Sequence, residues 1–278
     1  MEVKYPKEGD LRHRPNEMAT IDYSNMRDGY VIVWVNDLNP IQKFQVNVAA
    51  NGKQQNFSAH PMHDEIYIPL VYGSGTYTIT ILRKISSDPA DTKYRQVSEL
   101  IQYVELVDEY TTWLHPTAYS EFFPDSACVK YADKICRGCL TDFEKMETIL
   151  HGVMDHLEYD RELANTVNDD KTKFWIPDPE DVYRLGKSIC WGYASLIAAM
   201  ARSQGIPTKI AVGYAGQVYH AWNMVYLQTG GELTPGYPIP PNNWTLIDAT
   251  FADTAKSIQA VYDFLYDKEL GYKADYFG

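Results

Sequence analysis

At 278 residues the chain has room for two ordinary domains or one large one. With 45% apolar and 22% charged residues it can bury a core, which excludes a chain disordered by composition. Its net charge of −12 excludes a nucleic-acid binder built on a basic face and suits a protein repelled by acidic surfaces.

Residues 1–28 read as a polar, irregular arm or a first edge strand. Their opening, Met1-Glu-Val-Lys-Tyr-Pro6, lacks the charged and apolar regions of a signal peptide. The protein is therefore expected to be cytoplasmic, or secreted or cell-surface if a leader was trimmed away. No apolar run approaches the roughly 18 residues of a membrane-spanning helix. From Gly29 the pattern becomes strand-like. Tyr30 to Val35 is rich in β-branched and aromatic residues. Phe44, Val46 and Val48 alternate with Gln45 and Asn47, giving one dry and one wet face. Asn51-Gly52 is a hairpin signal, because both residues tolerate positive φ. Ile66, Ile68 and Leu70 alternate again, Gly73-Ser-Gly75 turns the chain into Thr76–Leu82, and a last run lies near Val97–Leu106. About six short strands at regular spacing predict a small all-β sandwich over residues 1–110, a module for protein or glycan contact.

Thr111 to Pro124, aromatic and proline-bearing, reads as a packed crossover into a second domain, 111–278. There the period turns helical. One helix is predicted over Ser126–Arg137 with Gly138 at its C′ position. Another follows Thr141, whose spacing to Glu144 is a capping box, with Phe143, Met146, Ile149, Leu150, Val153 and Leu157 as its dry stripe. His151 and His156 stand about 140° apart on that helix and cannot share a metal. Asn165 to Pro179 reads as a polar loop that could wall a cleft, with Trp175 either facing substrate or serving as a packing residue. The cysteines number four: Cys128, Cys136, Cys139 and Cys190. Cys136-Arg-Gly-Cys139 has CxxC spacing, but no second pair completes a zinc set, and buried small hydrophobes are the simpler reading. No metal and no cofactor are expected.

Three separated words carry the chemistry: Gly186-Lys-Ser-Ile-Cys-Trp-Gly-Tyr-Ala194, Tyr219-His-Ala-Trp-Asn223 and Trp244-Thr-Leu-Ile-Asp-Ala-Thr250. Pro179–Leu185 reads as a short helix or turn. Ser188 is the expected N-cap of a buried helix over Cys190–Gln204, stopped by Gly205 and Pro207. A thiol at such a start meets free N–H groups and the positive end of the dipole. Ile210–Tyr214 reads as a strand. In the next, Tyr219–Leu227, period two puts His220, Trp222, Met224 and Tyr226 on one face; in Trp244–Asp248 it does the same for Trp244, Leu246 and Asp248. Antiparallel neighbours would bring imidazole and carboxylate side by side, facing the helix start. A core cysteine, a satisfied core histidine and a turn-forming aspartate remain the plain alternatives. Between Tyr226 and Trp244 lies a long Gly- and Pro-rich connection, either a lid or an excursion.

These words, with Ala201-Arg-Ser-Gln-Gly-Ile-Pro207 and Val212-Gly-Tyr214, resemble the transglutaminase-like superfamily of papain-like cysteine enzymes, in its bacterial-type members with an N-terminal β-rich domain. The resemblance covers about Phe143 to Phe251; Ala249 departs from it, standing where the family usually has proline. It implies an α+β fold, a papain-like core of helices on an antiparallel sheet. It also implies Cys190 as nucleophile, His220 as base and acid, and Asp248 as orienter. Substrate contacts are expected from Trp175, Trp191 and Trp222. The implied reaction is acyl transfer from a peptide or protein amide through a thioester. Hydrolysis is expected ahead of cross-linking, and no EF-hand-type loop suggests calcium dependence. A binding protein with an idle triad is the alternative from another class.

Overall fold

The computed structural model describes residues 5–37, 43–59, 65–86, 91–169, 176–234, 237–266 and 271–278. The chain forms two compact units, Tyr5–Ala118 and a second beginning at Tyr119 and running to Gly278.

The first unit is strand-rich. Its strands are β1 (Arg12–His13), β2 (Ala19–Asp22), β3 (Tyr30–Val35), β4 (Phe44–Ala50), β5 (Lys53–Ala59), β6 (Ile66–Pro69), β7 (Gly75–Lys84) and β8 (Tyr94–Val104). They make two antiparallel four-stranded sheets, ordered β1-β2-β3-β6 and β5-β4-β7-β8. Phe44, Val46 and Val48 are buried while Gln45 and Asn47 are half-exposed, as the alternation requires. Asn51 and Gly52, at φ 53° and 73°, form the two-residue turn between β4 and β5.

Two features of this unit depart from the sequence reading. Residues 1–28 are more than an arm or an edge, because β2 lies inside its sheet between β1 and β3. Ala19 and Ile21 are fully buried, and the buried Asp22 carboxylate accepts the backbone N–H groups of Gly9 and Ser24. The polar composition hid a strand whose one acid is satisfied by its own neighbourhood. The alternation at Ile66, Ile68 and Leu70 implied a wet face, yet all of β6 is buried. Tyr67 packs with Tyr30 and Ile32, and Trp34 covers that cluster.

The second unit contains α1 (Ala127–Ile135), α2 (Asp142–His156), β9 (Glu158–Tyr159), α3 (Arg161–Asp169), α4 (Pro179–Leu185), β10 (Lys187–Ser188) and α5 (Cys190–Ser203). There follow β11 (Thr208–Ala215), β12 (Val218–Leu227), β13 (Gly231–Thr234), β14 (Tyr237–Ile239), β15 (Asn243–Ile247), α6 (Ala249–Ala255), α7 (Ile258–Tyr266) and β16 (Tyr272–Phe277). Helix α5 packs on β11 and β12 of an antiparallel four-stranded sheet, ordered β15-β12-β11-β16, and α1, α2, α4 and α6 pack against α5. No helix among the described residues is long and apolar enough to cross a membrane.

Helix α2 begins with the expected capping box: Thr141 Oγ1 accepts the Glu144 N–H, and Glu144 returns a bond to the Thr141 N–H. Such a cap contributes roughly 1 kcal/mol. Its stripe of Phe143, Met146, Ile149, Leu150 and Val153 is buried. Helix α5 is the centre of the unit. Every residue from Gly192 to Ser203 is buried, the condition of a helix apolar all round. Leu196, Ile197 and Met200 each contribute about 1.5–3 kcal/mol by that burial. Gly205, at φ 76°, ends it.

Three local expectations are corrected here. Residues 165–169 are helical, as part of α3, where a loop was expected. Gly138 takes positive φ, but α1 has already ended at Ile135 with Cys136 as its cap. Ser188 does not cap α5: it is buried in β10, paired in parallel with Tyr159 of β9, and Ile189 occupies the cap position without a side-chain bond. The connection between β12 and β15 forms the β13–β14 hairpin, with Leu233 and Ile239 buried.

Candidate active site

The structure brings Cys190, His220 and Asp248 together from three elements. Cys190 is the first residue of α5 and is half-buried. His220 lies near the start of β12, and its Nε2 is 2.7 Å from Asp248 Oδ2. Cys190 is close enough to the same imidazole to help raise its proton affinity. β12 and β15 run antiparallel with Met224 opposite Leu246, so His220, Trp222, Leu246 and Asp248 share a face. Asp248 follows the last residue of β15 and is the N-cap of α6.

The Asp248 carboxylate is buried and held on both oxygens. Oδ1 accepts the Phe251 N–H at 2.8 Å, and Oδ2 accepts the Tyr272 hydroxyl at 2.7 Å besides facing His220. Charge-assisted bonds of this kind are the strong ones, and they keep a buried carboxylate in one orientation. Burial alone would lower the affinity of His220 for its proton. The Asp248 charge and hydrogen bond, aided by Cys190, outweigh burial and push the imidazole up to about 10.

Side chains behind the three residues fix the elements that carry them. Asn223 of β12 donates to the Ala194 carbonyl of α5 at 2.9 Å. Tyr193 of α5 donates to Asp253 of α6 at 2.8 Å, with both side chains buried. Arg202, buried near the other end of α5, donates to the carbonyls of Thr208 and Gly278. Tyr159 is carried by β9 against β10; burial raises its hydroxyl above the usual tyrosine range, and the nearby Cys190 adds to this.

The three tryptophans have different fates. Trp222 is 3% exposed; its ring stacks against His220 at 6.2 Å and meets Tyr272 edge-on at 5.0 Å. It forms the wall behind the imidazole. Trp191, beside Cys190, is half-buried and meets the Tyr119 ring edge-on. Trp175 lies outside the described residues. The residue that sequence reasoning missed is Tyr272. Its signal was the alternation of Tyr272, Ala274 and Tyr276 in a strand long after the last motif.

The other cysteines are occupied differently. Burial pushes the Cys128 and Cys136 thiols up to about 12. Cys136 Sγ points to the Lys145 carbonyl, and Cys139 Sγ lies 3.5 Å from Thr148 Oγ1. His156 bonds the Tyr183 carbonyl and stacks on its ring, whereas His151 is exposed. No group of three or more His, Cys, Asp or Glu side chains that could hold a metal occurs among the described residues.

The sequence model of the transglutaminase-like superfamily matches residues 129–249. Kyphoscoliosis peptidase of Homo sapiens is 29% identical over 141 residues, and that of Mus musculus 28%. Each match takes in 46% of this chain and 19% of the relative, so the chain spans about a fifth of the length of these curated relatives. Among solved structures, a candidate cysteine protease of Cytophaga hutchinsonii is similar at a TM-score of 0.40 and 16% identity, over 80% of this chain and 71% of that one.

Proposed function

This chain carries a transglutaminase-like superfamily domain at residues 129–249, and from that premise we propose that it is a cysteine hydrolase of peptide amide bonds. Cys190 is the nucleophile, His220 the general acid and base, and Asp248 the group that orients the imidazole. The observation that carries the reading is the 2.7 Å contact of Asp248 with His220 Nε2, on an imidazole that Cys190 is near enough to influence. With Nε2 held by the carboxylate, Nδ1 is left for the sulfur.

An imidazole raised to about 10 keeps its proton at neutral pH. A protonated ring beside a thiol is the counter-charge that a thiolate needs. The thiolate attacks the amide carbonyl carbon, and the charge on oxygen is met by N–H groups at the start of α5, where no side chain caps the helix. As the C–N bond breaks, the imidazolium gives its proton to the departing amine, leaving a thioester on Cys190. The now neutral imidazole takes a proton from water, the hydroxide attacks the thioester, and acid is released with the thiolate–imidazolium pair restored. Transamidation shares the first half of this sequence and differs only in the acceptor. Water is the acceptor favoured here, in line with the peptidase name of the curated relatives. Trp222 holds the imidazole in place from behind, and Trp191 borders the nucleophile on the substrate side.

The test is selective alkylation. At pH 6 iodoacetamide is expected to label Cys190 at least about tenfold faster than Cys128, Cys136 or Cys139, read by peptide mass spectrometry. His220→Ala should abolish the difference. Equal, slow labelling of the four would overturn the reading and favour a binding protein.

A further inference from the structure

A cavity of about 320 Å³ opens beside the imidazole. His220 and Asp248 form part of its lining, and Tyr159, Val218, Phe251 and Tyr272 bring apolar surface from four elements. Its size lies at the low end of the ~300–1,000 Å³ typical of small-molecule sites, which suits one side chain better than a length of peptide.

The lining also says what kind of side chain. Its one carboxylate, Asp248, already accepts from Phe251, Tyr272 and His220. A basic side chain would have to compete with the imidazole for it. No Lys or Arg is among the described lining residues, and the one cation there, the His220 imidazolium, is already paired with Asp248, so an acidic side chain would have to compete with that carboxylate and would face it. Thr254, at the rim, turns its hydroxyl to the Thr250 carbonyl of its own helix. An apolar group meets none of these penalties and gains from leaving water. Val218, 66% exposed on the hairpin between β11 and β12, stands at the mouth.

We propose that this cavity is a specificity pocket for a bulky apolar side chain, aromatic or branched aliphatic, of the peptide bound at Cys190. The proposal rests on the reading of Cys190 as nucleophile. His220 ties pocket and nucleophile together: the proposed acid and base lines the cavity, with Tyr159 beside it near enough to Cys190 to feel its charge.

The experiment uses acetyl-dipeptidyl chloromethyl ketones carrying Phe, Leu, Ala, Lys or Glu at either position, with iodoacetamide as a reagent too small to need a pocket. Cys190 modification in the full chain is followed by mass spectrometry. One of the two positions is expected to favour Phe or Leu over Ala by roughly ten- to hundredfold, and over Lys and Glu by more. Val218→Trp, which fills the mouth from an exposed position, should bring the Phe-to-Ala ratio to within about twofold. Thr254→Trp, at a second exposed position of the lining, should do the same, and serves should the first variant not fold. If iodoacetamide modifies Cys190 selectively but Phe and Ala probes react alike, or if both Trp variants keep the preference, the pocket is refuted while the nucleophile stands. If even iodoacetamide shows no selectivity for Cys190, both readings fall.

Discussion

The Tyr272 hydroxyl donates to Asp248 Oδ2, the same oxygen that faces His220 Nε2. One oxygen thus serves two donors, one from the last strand of the sheet and one from its centre. The tyrosine drains negative charge that would otherwise act on the imidazole, and it fixes the carboxylate from the side opposite the N-cap bond. Tyr272→Phe removes the bond while keeping the ring against Trp222. The imidazole should then bind its proton more tightly, moving its NMR titration to higher pH. Amide turnover should fall about tenfold, equivalent to ~1.4 kcal/mol in the barrier, because Asp248 is held less firmly. A loss of stability with no change in the titration would mean that the hydroxyl only packs.

His220 also makes stability depend on pH, and the sign follows from its raised affinity. The folded imidazole holds its proton to about 10, whereas the unfolded one releases it near 6.5. Its contribution is full below about pH 6.5 and is lost as pH rises through 10. Urea midpoints measured from pH 6 to 10.5 should therefore fall toward the alkaline end. In Asp248→Asn the raising charge is gone and burial, which lowers the imidazole, dominates. That variant should titrate below 6.5 and show no loss from this group above neutrality. A titration left near 10 would show that Asp248 is not what holds the proton.

What could be read in advance depended on how local the information was. The Thr141 capping box, the Asn51-Gly52 turn and the buried helix at Cys190 are each written in a few adjacent residues, and each is present. The side-by-side placement of His220 and Asp248 follows from period-two alternation in two strands that pair. Ser188 misled because capping chemistry was weighed without its partner: Glu158–Tyr159 recruits that segment into a ladder from nearly thirty residues upstream. The alternation around Tyr272 marked a strand, but its role at Asp248 was illegible for the same reason. Its role exists only once β16 lies against β11, and Tyr272 pairs with Ala215 there.

That pairing depends on a glycine. β11 and β16 shift register between Val212 and Gly213, and a Cβ on Gly213 would lie 2.1 Å from the Lys273 carbonyl oxygen and 2.8 Å from the Asp275 nitrogen. Both are backbone atoms, so neither can swing aside. Gly213→Ala should push β16 off the sheet at the bulge, lower stability by roughly 1–3 kcal/mol and loosen the Tyr272 bond to Asp248. Adding Tyr272→Phe to Gly213→Ala should then cost little further activity, since the bond is already lost. Fully additive effects on turnover would separate the bulge from the carboxylate.

Gly192, two residues after Cys190, sets how closely α5 approaches β10. A Cβ there would meet Ser188 Oγ at 1.9 Å, Ser188 Cβ at 2.6 Å and Val182 at 3.1 Å. The first helical turn and the β9–β10 ladder are thus in contact through a position that admits no side chain. Gly192→Ala should displace the start of α5, moving Cys190 relative to His220, and slow iodoacetamide labelling at pH 6 by about tenfold or more. Ser188→Gly removes both of the closest atoms, so the double variant should recover much of the rate while Ser188→Gly alone labels at close to the parent rate. Rescue of this kind is a pairwise coupling, measurable in a double-mutant cycle, and its absence would place the fault of Gly192→Ala elsewhere in the helix.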